Sequence, residues 1–135
     1  MTIKIFLLAV ASAVLIMIVN VAISFGVVAG YAYTVDPGHD AAYYERAAQW
    51  IAPWSSIAFG WLLFLLVTFM ATRRSWVSNA LGFAFGVFAV YAAMDLGILA
   101  AVGDLAAIGP VVSVSLTSKM AGAIAGVYLA ERFQT

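Results

Sequence analysis

The stretch Ile3–Tyr33, IKIFLLAVASAVLIMIVNVAISFGVVAGYAY, decides how the rest of the chain must be read. Lys4 is its only charged residue, and Asn20, Ser12 and Ser24 are its only amide and hydroxyl interruptions before the closing tyrosines. A run of about 30 apolar residues is far longer than the 7–15 residue core of a secretory signal, and no small-residue cleavage site followed by polar sequence ends it. The expectation is a retained first membrane helix. As a helix it would measure roughly 45 Å against a hydrocarbon core of about 30 Å, so it must tilt or project beyond the bilayer.

Working outward, the same character fills the chain. Of 135 residues, 66% are hydrophobic and 9% charged, where a soluble domain carries roughly a quarter charged; the mean hydropathy is +1.09. Lipid is the solvent this composition fits. Further apolar segments at Pro53–Ala71, Val77–Ala101 and Ala106–Ala130 leave no room for a soluble domain. The expected fold is an all-α membrane protein, a four-transmembrane-helix bundle forming one domain over 1–135.

The basic residues set the expected orientation. With four spans, Lys4, Arg73, Arg74 and Arg132 fall on one side and Arg46 on the other, so the positive-inside rule puts both termini in the cytoplasm. Asp36, Asp40, Glu45 and Asp104 then lie outside. Tyr31, Tyr33, Tyr43, Tyr44, Trp50 and Trp54 gather at the outer interface, and Phe6, Trp76, Tyr128 and Phe133 at the inner one, as amphipathic rings prefer. The one longer loop, 34–40, contains Asp36-Pro37-Gly38, which is turn chemistry, and Pro37 or Asp40 is placed to open a helix. Tyr44, Ala47, Ala48, Ile51 and Trp54 then recur at helical spacing. That pattern predicts a short extracytoplasmic helix over 41–51 lying at the interface, with a bend at Pro53 into the second span.

Composition excludes several classes of function. Six basic and six acidic residues cancel, so no field recruits nucleic acid. Without cysteine there is no disulfide, thiolate metal site or dithiol relay. The single histidine, His39, lies in the loop and not in a span, which disfavours haem held between helices; it reads as a solvated loop residue rather than a metal ligand beside Asp36 and Asp40. No nucleophile with its base, phosphate loop or flavin fingerprint occurs. The expectation is a protein that is not an enzyme and carries no metal or cofactor.

Small residues indicate which helices approach closely in lipid. Gly82-x-x-x-Gly86 in the third span and Gly122-x-x-x-Gly126 in the fourth offer such faces, for packing on each other or on a second copy. The third span, busy on two faces, is the expected centre of the bundle. The polar residues within spans matter more. Lys119 near the middle of the fourth span and Asp95 in the outer half of the third would each cost roughly 2.5–3.5 kcal/mol in hydrocarbon. The long lysine stem leans outward and the carboxylate inward, so the two are within reach of each other. Asn20 lies at similar depth. Asp95, Lys119, Asn20, Tyr91, Ser115 and Ser118 are therefore the candidate lining of a solute or ion path.

Two functions follow as expectations. One is a homo-oligomeric transport or permeation protein of the bacterial cytoplasmic (inner) membrane, passing a small solute, ion or proton along the Asp95/Lys119 cluster. The other is a non-catalytic accessory subunit of a larger membrane complex, with Asp95 and Lys119 as assembly contacts. Its partners would be membrane lipid and either further copies or other membrane subunits, and no nucleic acid.

Overall fold

In a computed structural model that describes residues 3–102 and 105–133, the chain is all-helical among the described residues. Helix α1 spans Ile3–Gly30, α2 Ala41–Arg73, α3 Ala80–Val102 and α4 Leu105–Arg132, and four segments built on them are long and apolar enough to cross a membrane. Asp104, one of the acidic residues grouped above, lies outside the described residues. Consecutive helices run in opposite directions. Lys4, Arg73, Arg74 and Arg132 thus share one end of the bundle, here called the basic end, and the 36–40 loop marks the other.

The bundle is inverted relative to a soluble protein. Large apolar side chains such as Ile18, Phe25, Leu66 and Ile98 face outward, and Phe25 is 75% exposed. The buried set includes many small or polar residues, Ala9, Ala13, Ala84 and Ala123 together with Asn20, Thr68, Ser115 and Lys119. Without a hydrophobic force between helices in lipid, close backbone approach and interhelical hydrogen bonds hold the elements together. Toward the basic end the interior is dry, filled by Ile16, Phe64, Phe83, Val87 and Val127.

Pairing differs from the sequence expectation. The tightest pair is α2 with α4, and α3 is not the hub. A Cβ on Gly122 would collide with the Trp61 carbonyl, and one on Gly126 with Thr68 and the Leu65 carbonyl. Both glycines therefore seat α4 against α2, not against α3. Thr68 ties this contact, its hydroxyl 2.8 Å from its own Phe64 carbonyl and 2.9 Å from the Ala123 carbonyl across the interface. Gly82 meets no helix, since a Cβ there would stand 2.8 Å from the Asn79 side chain, whose Oδ1 accepts from the Gly82 amide at 2.8 Å and caps α3. Gly86 is half-buried beside the inward stripe Phe83, Ala84, Val87 and Tyr91.

Two further departures concern boundaries. The segment 41–51 and the second span are one unbroken helix of 33 residues with Pro53 inside it. Pro53 costs the Gln49 carbonyl its helical donor, and tertiary packing carries the helix through. The first span widens into a π-helical turn, Tyr31–Val35, so the helical segment runs over 33 residues from Ile3 to Val35.

The loop beyond it is a knot around Asp36. Its carboxylate accepts from the Tyr43 hydroxyl, from Tyr31 at 3.3 Å, and pairs with His39 at 3.0 Å. His39 stacks on Tyr43 with ring centroids 4.0 Å apart. Tyr44 donates to the Asp36 carbonyl at 2.9 Å, Gly38 takes the positive φ of +95° that the turn requires, and Asp40 accepts from the Tyr43 amide at 2.9 Å to cap α2. The Tyr43 hydroxyl, and after it the His39 ring, hold the Asp36 carboxyl below the usual carboxylate range.

Candidate functional site

Four helices deliver polar side chains to one depth, roughly half-way through the bundle. From α1, Asn20 is 4% exposed and its amide donates to Ser56 Oγ on α2 at 2.8 Å and to the Tyr91 hydroxyl on α3 at 3.1 Å. From α4, Lys119 is 0% exposed; its Nζ donates to Ser56 Oγ at 3.0 Å and to Ser115 Oγ one turn before it. The ammonium also lies 5.1 Å from the centroid of the Tyr91 ring, a cation–π distance. Tyr91 is in turn propped edge-on by Phe64 at 5.1 Å. Ser24 and Ser55 add a bond of 2.8 Å between α1 and α2 a little nearer the loop end.

The lysine fits because α2 has a glycine opposite it. A Cβ on Gly60 would stand 2.6 Å from Lys119 Cε, so only a residue without a side chain leaves room for the stem. The face that carries Ser115, Lys119, Gly122 and Gly126 is a single stripe of α4, and that whole stripe is turned to α2.

Asp95 stands apart. It is half-buried, one turn past Tyr91 toward the loop end, and it does not form the contact ion pair with Lys119 that the sequence suggested. The amine reaches the hydroxyls of Ser56 and Ser115 first, because α4 faces α2 there. The carboxylate and the ammonium act on each other through space, without touching. Ser118 is not in the cluster either; its hydroxyl donates back to the Ser115 carbonyl at 2.8 Å, the local bond that serine commonly makes in a helix.

Above the cluster, on the loop side, is a cavity of about 400 Å³. Asn20, Ser56, Tyr91, Asp95 and Ser115 form its polar foot, and Met17, Val21, Phe25, Val28, Leu99 and Val112 are among its apolar walls. Lys119 sits behind the two serines, outside the lining. A second cavity under the loop, reaching Pro37, His39 and Tyr44, shares Phe25 and Val28 with the first. Among the described residues no group of three or more His, Cys, Asp or Glu side chains is arranged to hold a metal.

Ser56 and Gly60 are the members that reasoning from sequence missed. The signal was there: Ser56, Gly60, Phe64 and Thr68 recur every four residues, a small-and-polar stripe on the second span of the kind that marks a helix contact.

Fold and site together define a helical bundle of membrane-spanning character with an interhelical cavity over a polar cluster. No family model matches the chain, and no curated protein or solved structure proves similar to it.

Proposed function

We propose that the protein is a small transport or permeation protein of a membrane, and that the cavity between its helices is where the solute sits. One observation carries this reading: the cavity lies on the loop side of a polar cluster at mid-depth, and beyond that cluster the interior is packed with apolar side chains. Substrate sites of membrane transporters lie near mid-depth between helices, as this one does. Irregular or costly polar groups at membrane depth belong where they line such a space.

The orientation proposed with it has both termini in the cytoplasm of a bacterial inner membrane, with the first turns of α2, around 41–51, at the outer interface. The cavity then faces the outside. All four of its walls come from one chain, and the Gly122/Gly126 face that favoured self-assembly is occupied by α2.

The test is flux in proteoliposomes made with the purified full chain, using protons, potassium, glycerol and a fluorescent alkyl glycoside as the solutes. Acceleration of at least one over protein-free vesicles, abolished by Ala52→Phe, which fills the cavity from α2, is the expected outcome. Failure to accelerate any of the four would overturn the proposal.

A further inference from the structure

The charge balance and the unused hydrogen-bonding groups at the foot of the cavity narrow what it accepts. The Lys119 ammonium and the Asp95 carboxylate together sum to zero. A ligand bearing a net charge would leave that charge uncompensated at mid-depth, where isolated charge is most costly. The ligand that fits is neutral.

Lys119 has little left to offer it. Its Nζ donates to Ser115 and to Ser56 and lies 5.1 Å from the centroid of the Tyr91 ring, and its amine is not part of the lining. Asp95 is the opposite case: it lines the cavity, and its carboxylate makes no hydrogen bond among the described residues. Asn20, also on the lining, keeps its Oδ1 buried and without a partner. A buried acceptor left unpaired, as Asn20 Oδ1 is, costs about 1–3 kcal/mol, and the half-buried Asp95 carboxylate on the same lining is the acceptor that a ligand's donor can reach. The remaining walls are aliphatic and aromatic, which suits an apolar body.

Resting on the transport reading above, we propose that the cavity binds an uncharged amphiphile, an apolar body with a hydroxylated head, whose hydroxyl donates to Asp95 beside the Asn20 amide. Moving such a head through hydrocarbon is the step that an unassisted bilayer resists, and the polar foot supplies hydrogen bonds at that depth.

Binding is measured on the full chain in mild detergent by equilibrium dialysis against empty micelles, with four probes sharing one body: 2-naphthylethanol, its methyl ether, 2-naphthylethylamine and 2-naphthylacetate. The alcohol is expected to bind at least tenfold more tightly than the ether, which accepts but does not donate, and more tightly than either charged probe. Asp95→Leu should reduce the alcohol to the level of the ether; the wild-type comparison stands even where that variant fails to fold. Equal binding of alcohol and ether would make the cavity a groove for acyl chains and overturn the proposal. Preference for the amine or the carboxylate would overturn it as well, by showing that charge is what is recognised. If naphthylethanol does not bind while Ala52→Phe still abolishes flux in the vesicles, the ligand class falls and the transport reading stands; absence of flux removes the transport reading on its own.

Discussion

Gly60→Ala is the sharpest probe of the lysine seat. An ideal Cβ there lies 2.6 Å from Lys119 Cε and 3.4 Å from Cγ. Ordinary carbon contacts fall at about 3.5–4.0 Å, so the stem must give way by about 1 Å. Retreat is resisted at the far end, where Nζ is held by Ser115 and by Ser56 at 3.0 Å and backed by the Tyr91 ring. Over-packing of this size costs about 1–3 kcal/mol, and the loss of one hydrogen bond to a charged group about 1.5–3 kcal/mol. We expect Gly60→Ala to lower stability by about 1–3 kcal/mol, although alanine is intrinsically the better helix former. A double-mutant cycle with Lys119→Ala isolates the contact, because the propensity gain cancels and the new methyl then meets vacated space. The expected coupling is about 0.5–3 kcal/mol, read from reversible unfolding in mixed micelles followed by the helical circular dichroism signal. Equal losses in the two backgrounds would refute the reasoning, since Lys119 would then not lie against Gly60.

Three other outcomes follow from the geometry. Asp36 has a folded-state pKa held below its unfolded value, so the stabilisation it gives the loop is complete above about pH 4 and is lost as pH falls through the lower folded value. Protection factors of the 36–44 amides should fall as pH drops below about 4, and Asp36→Asn should abolish that fall. Ser75 has a left-handed φ of 53° at the end of α2, where the Trp76 amide bonds back to the Ala71 carbonyl at 3.1 Å; Ser75→Gly should raise stability by about 1 kcal/mol, and a decrease would contradict the assigned turn. Thr68→Val keeps the shape but removes the hydroxyl shared with the Ala123 carbonyl, with an expected loss of about 0.5–2 kcal/mol by the same unfolding assay.

What the sequence made legible and what it hid have one physical cause. Helix existence follows from hydropathy summed over a whole span, so α1, α3 and α4 could be read with ends misplaced by a few residues, whereas α2 runs on from Ala41 through the bend expected at Pro53. Helix phase follows from 3.6-residue periodicity, so Ser115, Lys119, Gly122 and Gly126 were placed on a single face of α4. Neither quantity says which neighbour that face meets. In water the answer is constrained by burying the largest apolar stripe, but in lipid all apolar stripes are equivalent and only small and polar residues discriminate. The third span advertised such residues at Gly82 and Gly86, yet Gly82 is spent on the Asn79 cap at the start of α3. The second span had the complementary set, Ser56, Gly60 and Thr68, spaced over three turns around the bulky Phe64. The partner of a buried lysine is thus better sought by asking which helix has a gap at its depth than by asking which holds the nearest carboxylate. Gly60 is that gap. It draws the amine to α2, and so leaves Asp95 on the cavity lining without a hydrogen bond among the described residues.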